Sequence, residues 1–419
     1  MSGPLCGRLI GVYLSTSLRM LWARSGAVEL TSGTTWHRRW YPGGPGRCSA
    51  SPGRCADAPP TAAFRCDRYD VGVMSDIPDR RAPEGPPRDQ LGRRPRDLRI
   101  SVTDRCNFRC TYCMPAEIFG RDFAFLPRSE ILTYEEIVRL AAVFVRIGVE
   151  KLRITGGEPT VRRDLPDLVR ELAAIDGVRD LTLTTNGSAL RTLAAPLAQA
   201  GLRRITVSLD SLDDAVFREM SGIGMPLARV LDGISAARSA GLAPVKINMV
   251  VRRGANESSI VPMARWARDE GFVLRYIEYM DVGTANGWRM DDVVPAAEII
   301  DSVDRVFPLE ALPPNYPGEV ATRFRYRDGA GEVGVIASVT VPFCGACTRA
   351  RLSAEGEMFT CLFAARGTDL RGPLRSGADD SQLEARIRAA WHARDDRYSD
   401  LRSAGTTGLP RVEMFAIGG

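Results

Sequence analysis

Three cysteines stand close together in the sequence, with three residues between Cys106 and Cys110 and two between Cys110 and Cys113. Thiolates are the soft ligands that hold iron–sulfur clusters, and a cubane that takes four of them is fully ligated. Three thiolates leave one iron open to bind something else, so the spacing indicates chemistry at an open iron. A structural zinc loop is the alternative, but zinc sites usually have a fourth Cys or His nearby, and neither His37 nor His392 lies near this loop.

A second set of three cysteines lies far downstream: two residues separate Cys344 from Cys347, and Cys361 follows after thirteen more. This set again predicts an open cluster, with a structural zinc completed by another ligand as the alternative. Between the ligands, Arg349 and Arg351 alternate, so both side chains point the same way if the segment is extended. Guanidinium groups suit phosphate recognition, which indicates an anion site beside the second set.

The composition narrows the function classes. The chain has 419 residues, room for more than one domain, with 44% hydrophobic residues and a net charge of only +5. No dense basic cluster alternates with aromatic residues as a nucleic-acid groove requires, and no uncharged apolar run is long enough to span a membrane. A small anionic substrate suits this charge better. Because histidine is the commonest general acid or base, two histidines in the whole chain argue against Ser-His or Cys-His catalysis.

Six of the ten cysteines fall into metal-type spacings, which in a reducing compartment indicates metal or redox sites and not disulfides. Of the 56 basic residues, only Lys151 and Lys246 are lysine. A compact ammonium and a planar guanidinium are not interchangeable at a crowded polyanion site. Both lysines are therefore candidate phosphate ligands, and chance survival in an arginine-rich chain is the alternative.

Short apolar runs alternate with longer helical patterns from Leu98 to Met280, which predicts βα units around a parallel sheet. The predicted strands are Leu98–Asp104, Lys151–Thr155, Leu181–Asn186, Arg204–Asp210, Val245–Val251 and Val273–Met280. The predicted helices are Glu135–Ile147, Leu165–Ile175, Leu190–Ala200, Leu227–Ala240 and Ile260–Glu270. Six units fall short of the eight that close a TIM barrel, so we expect an α/β fold with an open, partial (β/α)6 barrel whose strand carboxyl ends form the mouth of the active site.

Polar residues follow the strands. The turn from Gly156 to Pro159 comes directly after the second strand, where its glycines permit close approach of the backbone and Glu158 can accept a hydrogen bond from an ammonium group. A tight βα turn without a ligand is the alternative. Thr184 and Ser208 stand near the ends of the next two strands and predict a polar rim.

The pattern of alternating strands and helices ends after Met280. Strands over Val320–Tyr326 and Val333–Val341 and a helix over Ser381–Arg394 predict a smaller domain. We expect residues 96–282 to form the barrel and 283–419 the second domain. Residues 1–95 are rich in Gly, Pro and Arg without core periodicity; they are either a disordered or transit-like extension, or translation begins at Met74.

The first cysteine run and the Gly156–Pro159 turn resemble the signature of radical S-adenosylmethionine (SAM) enzymes. In those enzymes the open iron chelates SAM, and an electron from the cluster cleaves SAM to a 5′-deoxyadenosyl radical. With the second cysteine set and its arginine pair, residues from about Asp97 to Gly419 resemble the MoaA family, the GTP 3′,8-cyclases of molybdenum cofactor biosynthesis. That family has a radical SAM-type incomplete α6β6 barrel and a smaller C-terminal α+β domain that carries a second cluster.

The resemblance implies a role for each matching residue. Two [4Fe–4S] clusters are implied, one on Cys106, Cys110 and Cys113 and one on Cys344, Cys347 and Cys361. The residues implied to contact SAM are Tyr112, Gly157, Ser208 and Met280. The residues implied to bind GTP are Arg99, Lys151, Arg153, Thr184, Lys246, Arg349, Ala350 and Arg351. Those implied in catalysis are Arg349, Arg351, Gly418 and Gly419, the two glycines forming a flexible tail that reaches into the active site. Plain disorder is the alternative for this tail.

The implied reaction cleaves SAM, removes the ribose 3′ hydrogen of GTP and joins C3′ to guanine C8. The implied partners are an electron donor such as flavodoxin or ferredoxin, a downstream cyclic pyranopterin monophosphate synthase and a second copy in a homodimer. The location would be cytoplasmic in a bacterium and the mitochondrial matrix in a eukaryote. Another radical SAM enzyme with an auxiliary cluster is the main alternative. A two-cluster electron carrier is the other, although it would normally close each cubane with a fourth cysteine.

Overall fold

Strands and helices alternate through the first part of the chain, and the computed structural model describes residues 85–402 and 410–418. The strands described are β1 (Asp97–Ser101), β2 (Lys151–Thr155), β3 (Asp180–Thr185), β4 (Arg204–Ser208), β5 (Val245–Val251), β6 (Val273–Glu278), β7 (Leu309–Leu312), β8 (Thr322–Tyr326), β9 (Glu332–Ile336), β10 (Arg349–Leu352), β11 (Glu357–Phe359) and β12 (Thr368–Asp369). The helices described are α1 (Tyr134–Arg146), α2 (Leu165–Ala173), α3 (Leu190–Gln199), α4 (Asp214–Ser221), α5 (Leu227–Ser239), α6 (Ile260–Asp269), α7 (Ala296–Asp304), α8 (Arg371–Arg375), α9 (Asp380–His392) and α10 (Met414–Ile417).

The βα units follow from local sequence. Helix α1 begins at a capping box in which Thr133 accepts from the backbone N–H of Glu136 and the Glu136 carboxylate accepts from that of Thr133. Its apolar stripe, including Leu140 and Phe144, is fully buried against the sheet core. The strands carry side chains such as Leu98 on the helix-covered face, so the polar alternate residues are left for the inside of the barrel.

All described strands form one sheet in the order β12-β11-β10-β1-β2-β3-β4-β5-β6-β9-β8-β7. The six barrel strands are parallel neighbours in chain order, and the predicted α/β fold on six βα units is confirmed. Strand β10 pairs in parallel with β1, and β9 pairs in parallel with β6. The C-terminal segment therefore covers both edges of the barrel sheet, edges that would otherwise expose unpaired backbone groups.

The barrel differs from the predictions in one extra helix and in several strand ends: β4 and β6 each end two residues earlier than predicted, and β1 ends three residues earlier. Helix α4 was not predicted, although Asp213 caps it by accepting from the backbone N–H groups of Ala215 and Val216. The first strand ends at Ser101 and not at Asp104, because the chain then turns so that the Thr103 carbonyl can accept from the backbone N–H of Gly157 at 2.7 Å.

The predicted boundary at residue 95 is too late. Asp89 and Arg93 are buried, and the Arg93 carbonyl accepts from the indole Nε1 of Trp391 at 2.9 Å. Residues 85–95 are thus part of the folded unit, while the predictions for residues 1–84 lie outside the described residues. Within the described part of the chain, no helix combines the length and apolarity needed to cross a bilayer.

Candidate active site

The first cysteine set lies on the loop that follows β1, at the carboxyl end of the parallel strands. The backbone N–H groups of Cys113 and Met114 both donate to the Cys110 carbonyl at 2.9 Å, which winds the loop tightly. The backbone N–H of Phe108 donates to the Cys106 sulfur at 3.3 Å. The three thiols are free and half-buried, as an incoming cluster would require.

The thiols of this loop are close enough to interact. Burial raises the pKa of Cys106 to about 12, with Glu158 adding to the effect. Burial also raises the pKa of Cys110, and the neighbouring Cys106, Asp210 and Cys113 raise it further. Metal binding displaces thiol protons and relieves this repulsion. In the described residues no three His, Cys, Asp or Glu side chains converge on a single-ion site; a cubane does not need such convergence, because each cysteine binds a different iron.

The Gly156–Pro159 turn packs directly on the cysteine loop. A Cβ at Gly157 would stand 2.2 Å from the Arg105 carbonyl oxygen, so only glycine fits. Glu158, expected to accept from a ligand ammonium group, is 1% exposed and already accepts from Thr160, Thr185 and the backbone of Asn186. That expectation is corrected: the Glu158 carboxylate ties the ends of β2 and β3 together.

The other residues implied to contact SAM are dispersed around the same end of the sheet. The Tyr112 hydroxyl donates to Asp210 Oδ2 at 2.9 Å, and burial raises the pKa of that carboxyl to about 6. Ser208 is the last residue of β4, and Met280 lies two residues beyond β6. Of these, Met280 lines the cavity that also contains the second cysteine set.

The second cysteine set lies at the opposite end of the strands. Cys344 and Cys347 precede β10, whose first residue pairs with Asp97 at the start of β1. Strand β11 returns antiparallel to β10, which brings Cys361 back toward Cys347. Arg349 donates from Nε and Nη2 to the Cys347 sulfur at 3.4 and 3.3 Å.

The charges around Cys347 favour a thiolate. Burial acts to raise the pKa of Cys347, but the guanidinium groups of Arg349 and Arg394 outweigh it and lower the pKa to about 6. A thiolate is the form that binds iron. The second set therefore fits a cluster by its chemistry as well as by its spacing.

One cavity joins the second cysteine set to the inside of the barrel. Its lining includes all three cysteines of that set and Arg99, Arg153, Thr184, Met280, Arg349 and Arg351. The predicted common direction of Arg349 and Arg351 is therefore confirmed. Ala350, placed in the GTP set by resemblance, is fully buried in the apolar core on the other face of β10 and can offer a ligand only its backbone.

The interior cations lack enough counter-charge. Burial lowers the pKa of Arg351 to about 9, with Arg349 adding to the effect. Burial and then Arg351 lower the pKa of Arg99. Burial and then Arg275 lower the pKa of Lys246 to about 7. A bound polyanion would stabilise the charged forms of these groups and raise their pKa values again. The lowered pKa values therefore indicate a polyanion site.

The two lysines stand at the starts of their strands, as the predicted strand bounds placed them. Lys151 is the first residue of β2 and Lys246 the second of β5, so both stand at the amino ends of the strands and not at the carboxyl mouth. They line a cavity that opens at that end. The candidate site thus runs the length of the barrel, about 15 Å for a five-residue strand.

Four residues of this amino end were missed. Tyr316 accepts from Lys151 Nζ at 3.2 Å, and Glu319 pairs with Arg275 at 3.4 Å. Asn248 and Arg275 line the cavity between the two ends of the site. Asn248 and Arg275 follow the inward period of β5 and β6, which could have identified them; Tyr316 and Glu319 lie on a connection and carry no such signal.

The C-terminal tail enters the site from the side of the cysteine loop. Phe415 packs edge-to-face on Phe119 with ring centroids 5.1 Å apart. The Gly418 carbonyl accepts from Arg351 Nη1 and, at 3.4 Å, from Arg99 Nη1. Gly418 has φ +67°, and a Cβ there would lie 2.2 Å from the Thr155 methyl carbon. Gly419 lies outside the described residues.

Family comparisons agree with this arrangement. The Radical SAM superfamily model matches residues 100–267, and Molybdenum Cofactor Synthesis C matches residues 272–400. A GTP 3′,8-cyclase of Acidothermus cellulolyticus is 60% identical over 77% of this chain and 90% of its own length. The chain belongs to the GTP 3′,8-cyclase family. Other GTP 3′,8-cyclases, from Xanthomonas axonopodis pv. citri and Staphylococcus haemolyticus, are 50% and 47% identical over 80% and 79% of this chain, and these matches cover 99% and 98% of their own lengths.

Membership of the GTP 3′,8-cyclase family confirms the resemblance predicted from the two cysteine sets. Among solved structures, Streptococcus suis SuiB bound to precursor peptide SuiA aligns with a TM-score of 0.50 and 17% identity, over 74% of this chain and 67% of SuiB. At that identity the likeness concerns the fold alone.

Proposed function

We propose that this chain is a GTP 3′,8-cyclase that converts GTP to 3′,8-cyclo-7,8-dihydro-GTP, the first step of molybdenum cofactor biosynthesis. The observation that carries the proposal is the single cavity that joins the second cysteine set to Arg99, Arg153, Thr184 and Met280. It offers a nucleotide a soft metal site at one wall and buried cations along the rest.

Two [4Fe–4S] clusters and SAM are the cofactors. Cys106, Cys110 and Cys113 would hold the first cluster, and Cys344, Cys347 and Cys361 the second. When bound, the first cluster would supply the electron that cleaves SAM, and the resulting 5′-deoxyadenosyl radical would take the 3′ hydrogen of GTP so that C3′ can bond to guanine C8. The nucleotide radical left by this bond would then take up a second electron from the external reductant and a proton. The open side of the second cluster would face the guanine.

The protein's own residues bind and orient the substrate. Lys151, Arg153, Lys246 and Arg99 would neutralise the triphosphate, with Arg275 as an addition to the predicted set. Thr184 already accepts from Arg153 Nη1 at 3.0 Å, which fixes the guanidinium for that role. Orientation of GTP between two ends of one barrel keeps C3′ and C8 in a reactive arrangement.

Arg349 and Arg351 would act beside the reacting guanine, where fixed positive charge stabilises developing negative charge. Arg351 also holds the Gly418 carbonyl, so the tail is placed against the same cavity. With Phe415 packed on the cysteine loop, the tail would exclude water from the radical. Gly419 follows it and is proposed to share this role.

Around SAM, Tyr112, Gly157, Ser208 and Met280 would form the binding surface. Gly157 supplies room, because a Cβ there would stand 2.2 Å from the Arg105 carbonyl oxygen. The Tyr112–Asp210 pair would orient the cysteine loop across the end of β4.

We propose the partners, the location and the assembly as well. A flavodoxin or ferredoxin would supply electrons, and cyclic pyranopterin monophosphate synthase would take the product. The relatives named above are bacterial, which supports a cytoplasmic location, and a homodimer is proposed as the assembly. Cell fractionation and sedimentation of the anaerobic protein test the last two.

Product identification tests the function directly. Anaerobically reconstituted protein should convert GTP to the cyclised nucleotide in the presence of SAM and dithionite, with one 5′-deoxyadenosine per product. Release of 5′-deoxyadenosine with GTP recovered intact would refute the proposal and favour another radical SAM reaction.

A further inference from the structure

A buried ion network lies beside the second cysteine set, and no step of the proposed reaction uses it. Three of its residues are Asp89, Arg93 and Arg394, and Asp396 joins it at the edge by pairing with Arg394 Nε at 3.4 Å. The carboxylate of Asp89 pairs with Arg93 Nε at 2.5 Å and with Arg394 Nη1 at 3.4 Å. The three side chains are only 0%, 3% and 1% exposed, respectively. Burying charges carries a large desolvation penalty, and apolar residues often replace such groups without loss of stability. Stability alone therefore does not account for the network.

The guanidinium groups of Arg93 and Arg394 hold the backbone of the second cysteine set. Arg93 Nη1 donates to the Cys344 carbonyl at 2.7 Å and to the Asp396 carbonyl at 2.9 Å. Arg394 Nη1 donates to the Cys347 carbonyl at 2.8 Å. Each guanidinium thus fixes the peptide of one cysteine of the second set, and Asp89 fixes both guanidiniums.

One donor of this network is left over. Arg93 Nη2 is buried and has no hydrogen-bond partner among residues 85–402 and 410–418. Leaving a buried donor unpaired costs about 1–3 kcal/mol, and more for a charged group. Arg93 and Arg394 both line the cavity that contains Cys344 and Cys347. The residue that carries this free donor thus borders the space that a cluster on the second cysteine set would occupy.

Sulfur is the acceptor that best fits the position. Arg349 already donates to the Cys347 sulfur from one side of the loop. The reduction potential of an iron–sulfur cluster depends on hydrogen bonds to its sulfur atoms and on net charge nearby. Residues that orient metal ligands in this way commonly change metal affinity by about 10–100-fold when they are lost.

We propose that Asp89, Arg93 and Arg394 are positioning residues of the second cluster. Arg93 and Arg394 hold the peptides of Cys344 and Cys347, and Arg93 Nη2 donates a hydrogen bond to a cluster sulfur, which raises the cluster's reduction potential. The inference rests on the proposed function in one respect, that the second cysteine set binds an iron–sulfur cluster.

The test isolates the second cluster in the full chain. In a background with Cys106, Cys110 and Cys113 all changed to Ser, iron content, release of iron to a chelator and reduction potential all report on the second set. The variants are Arg93→Lys, Arg93→Met and Asp89→Asn. The matched control is Arg162→Lys, because Arg162 also donates to two carbonyls, those of Val102 and Leu132 at 2.6 and 2.7 Å, past the opposite end of β1.

Arg93→Met should release iron about 10–100-fold faster and lower the potential. Arg93→Lys should keep part of the effect of positive charge on the potential. It should lose the paired hydrogen bonds to the Cys344 and Asp396 carbonyls. Asp89→Asn keeps the size of the side chain, so it should fold and show a smaller effect of the same sign. Arg162→Lys should leave both readouts unchanged. Each variant in the otherwise natural chain should still cleave SAM, which checks that it has folded.

Three results would overturn the proposal. Wild-type iron release and potential in both Arg93 variants would make the network purely structural. Weakened GTP binding with unchanged iron release would assign Nη2 to the substrate. Iron release that is faster to the same extent in Arg162→Lys would show a general loss of stability. Stoichiometric zinc in the parent chain would instead contradict the proposed function itself, before any variant is compared.

Discussion

Lys246 should take up a proton when GTP binds. Burial, then Arg275 and other neighbouring cations, lower its pKa to about 7. The charged groups that share its cavity are Arg96, Asp97, Glu150, Lys151, Arg179, Asp180, Arg203, Arg204 and Glu319. A triphosphate in this cavity favours the ammonium form and raises the pKa again. At pH 8 about 90% of the free enzyme has neutral Lys246, so binding should absorb about 0.9 proton; at pH 6 this contribution should fall to about 0.1.

The sign of the pH dependence follows. The free pKa is lower than the bound pKa, so GTP affinity is fully present below pH 7 and weakens as the pH rises above it, by up to about tenfold or 1.4 kcal/mol per unit. The terminal phosphate, with a pKa of about 6, is already ionised at pH 8 and does not confuse the measurement. Lys246→Ala should in addition weaken binding by about 1.5–3 kcal/mol, the range for a charged hydrogen bond.

Calorimetry of GTP binding to the anaerobic holoenzyme, in buffers of different ionisation enthalpy at pH 8, measures the proton uptake. Lys246→Arg is the matched control, because it keeps a charge at this position that does not titrate near pH 8 and should remove most of the uptake. Wild-type uptake below about 0.2 proton, or the same uptake in Lys246→Ala, would refute the reasoning.

Three further changes test other parts of the site. Cys347→Ser should reduce GTP cyclisation far more than SAM cleavage, because that cysteine lies in the nucleotide cavity; equal losses in both assays would contradict this. Gly418→Ala should lower the yield of cyclised product by roughly 10–100-fold with both clusters retained, because the new Cβ would stand 2.2 Å from the Thr155 methyl carbon. Full product yield would show that the tail has no role in the reaction. A chain that begins at Met74 should match the full chain in iron content and activity. A chain that begins at Arg96 should lose iron from the second cluster, because it lacks Asp89 and Arg93. Retained iron in that shorter chain would argue against the role of these two residues.

The sequence was sufficient for the βα units and for the grouping of Cys106, Cys110 and Cys113 on one loop, because period and spacing are local properties. Strands β2 and β5 have the predicted bounds, and Arg349 and Arg351 share one face as the alternation required. Each of these predictions depended on residues within one segment.

What the sequence could not provide was long-range pairing. The parallel pairing of β10 with β1 brings the second cysteine set to the amino ends of the strands, where the lysines also stand. Nothing local to Cys344, Cys347 or Cys361 carries that information. The same holds for Arg93, which precedes any periodic element yet donates to the Cys344 carbonyl 251 residues later in the chain. It holds as well for Asp89, which pairs with Arg93. Glu158 was misassigned because the groups that donate to its carboxylate come from the end of the next strand. These groups are the Thr185 hydroxyl and the backbone N–H of Asn186.

The central claim is that one barrel brings a SAM-derived radical at the carboxyl end to a GTP held from the amino end. Transfer of deuterium from GTP labelled at the ribose 3′ carbon tests it most directly, with Cys110→Ser as the inactive control. The 5′-deoxyadenosine recovered after anaerobic turnover should gain one mass unit in step with product formation. Unlabelled 5′-deoxyadenosine alongside cyclised product, or deuterium retained in the GTP, would contradict the account.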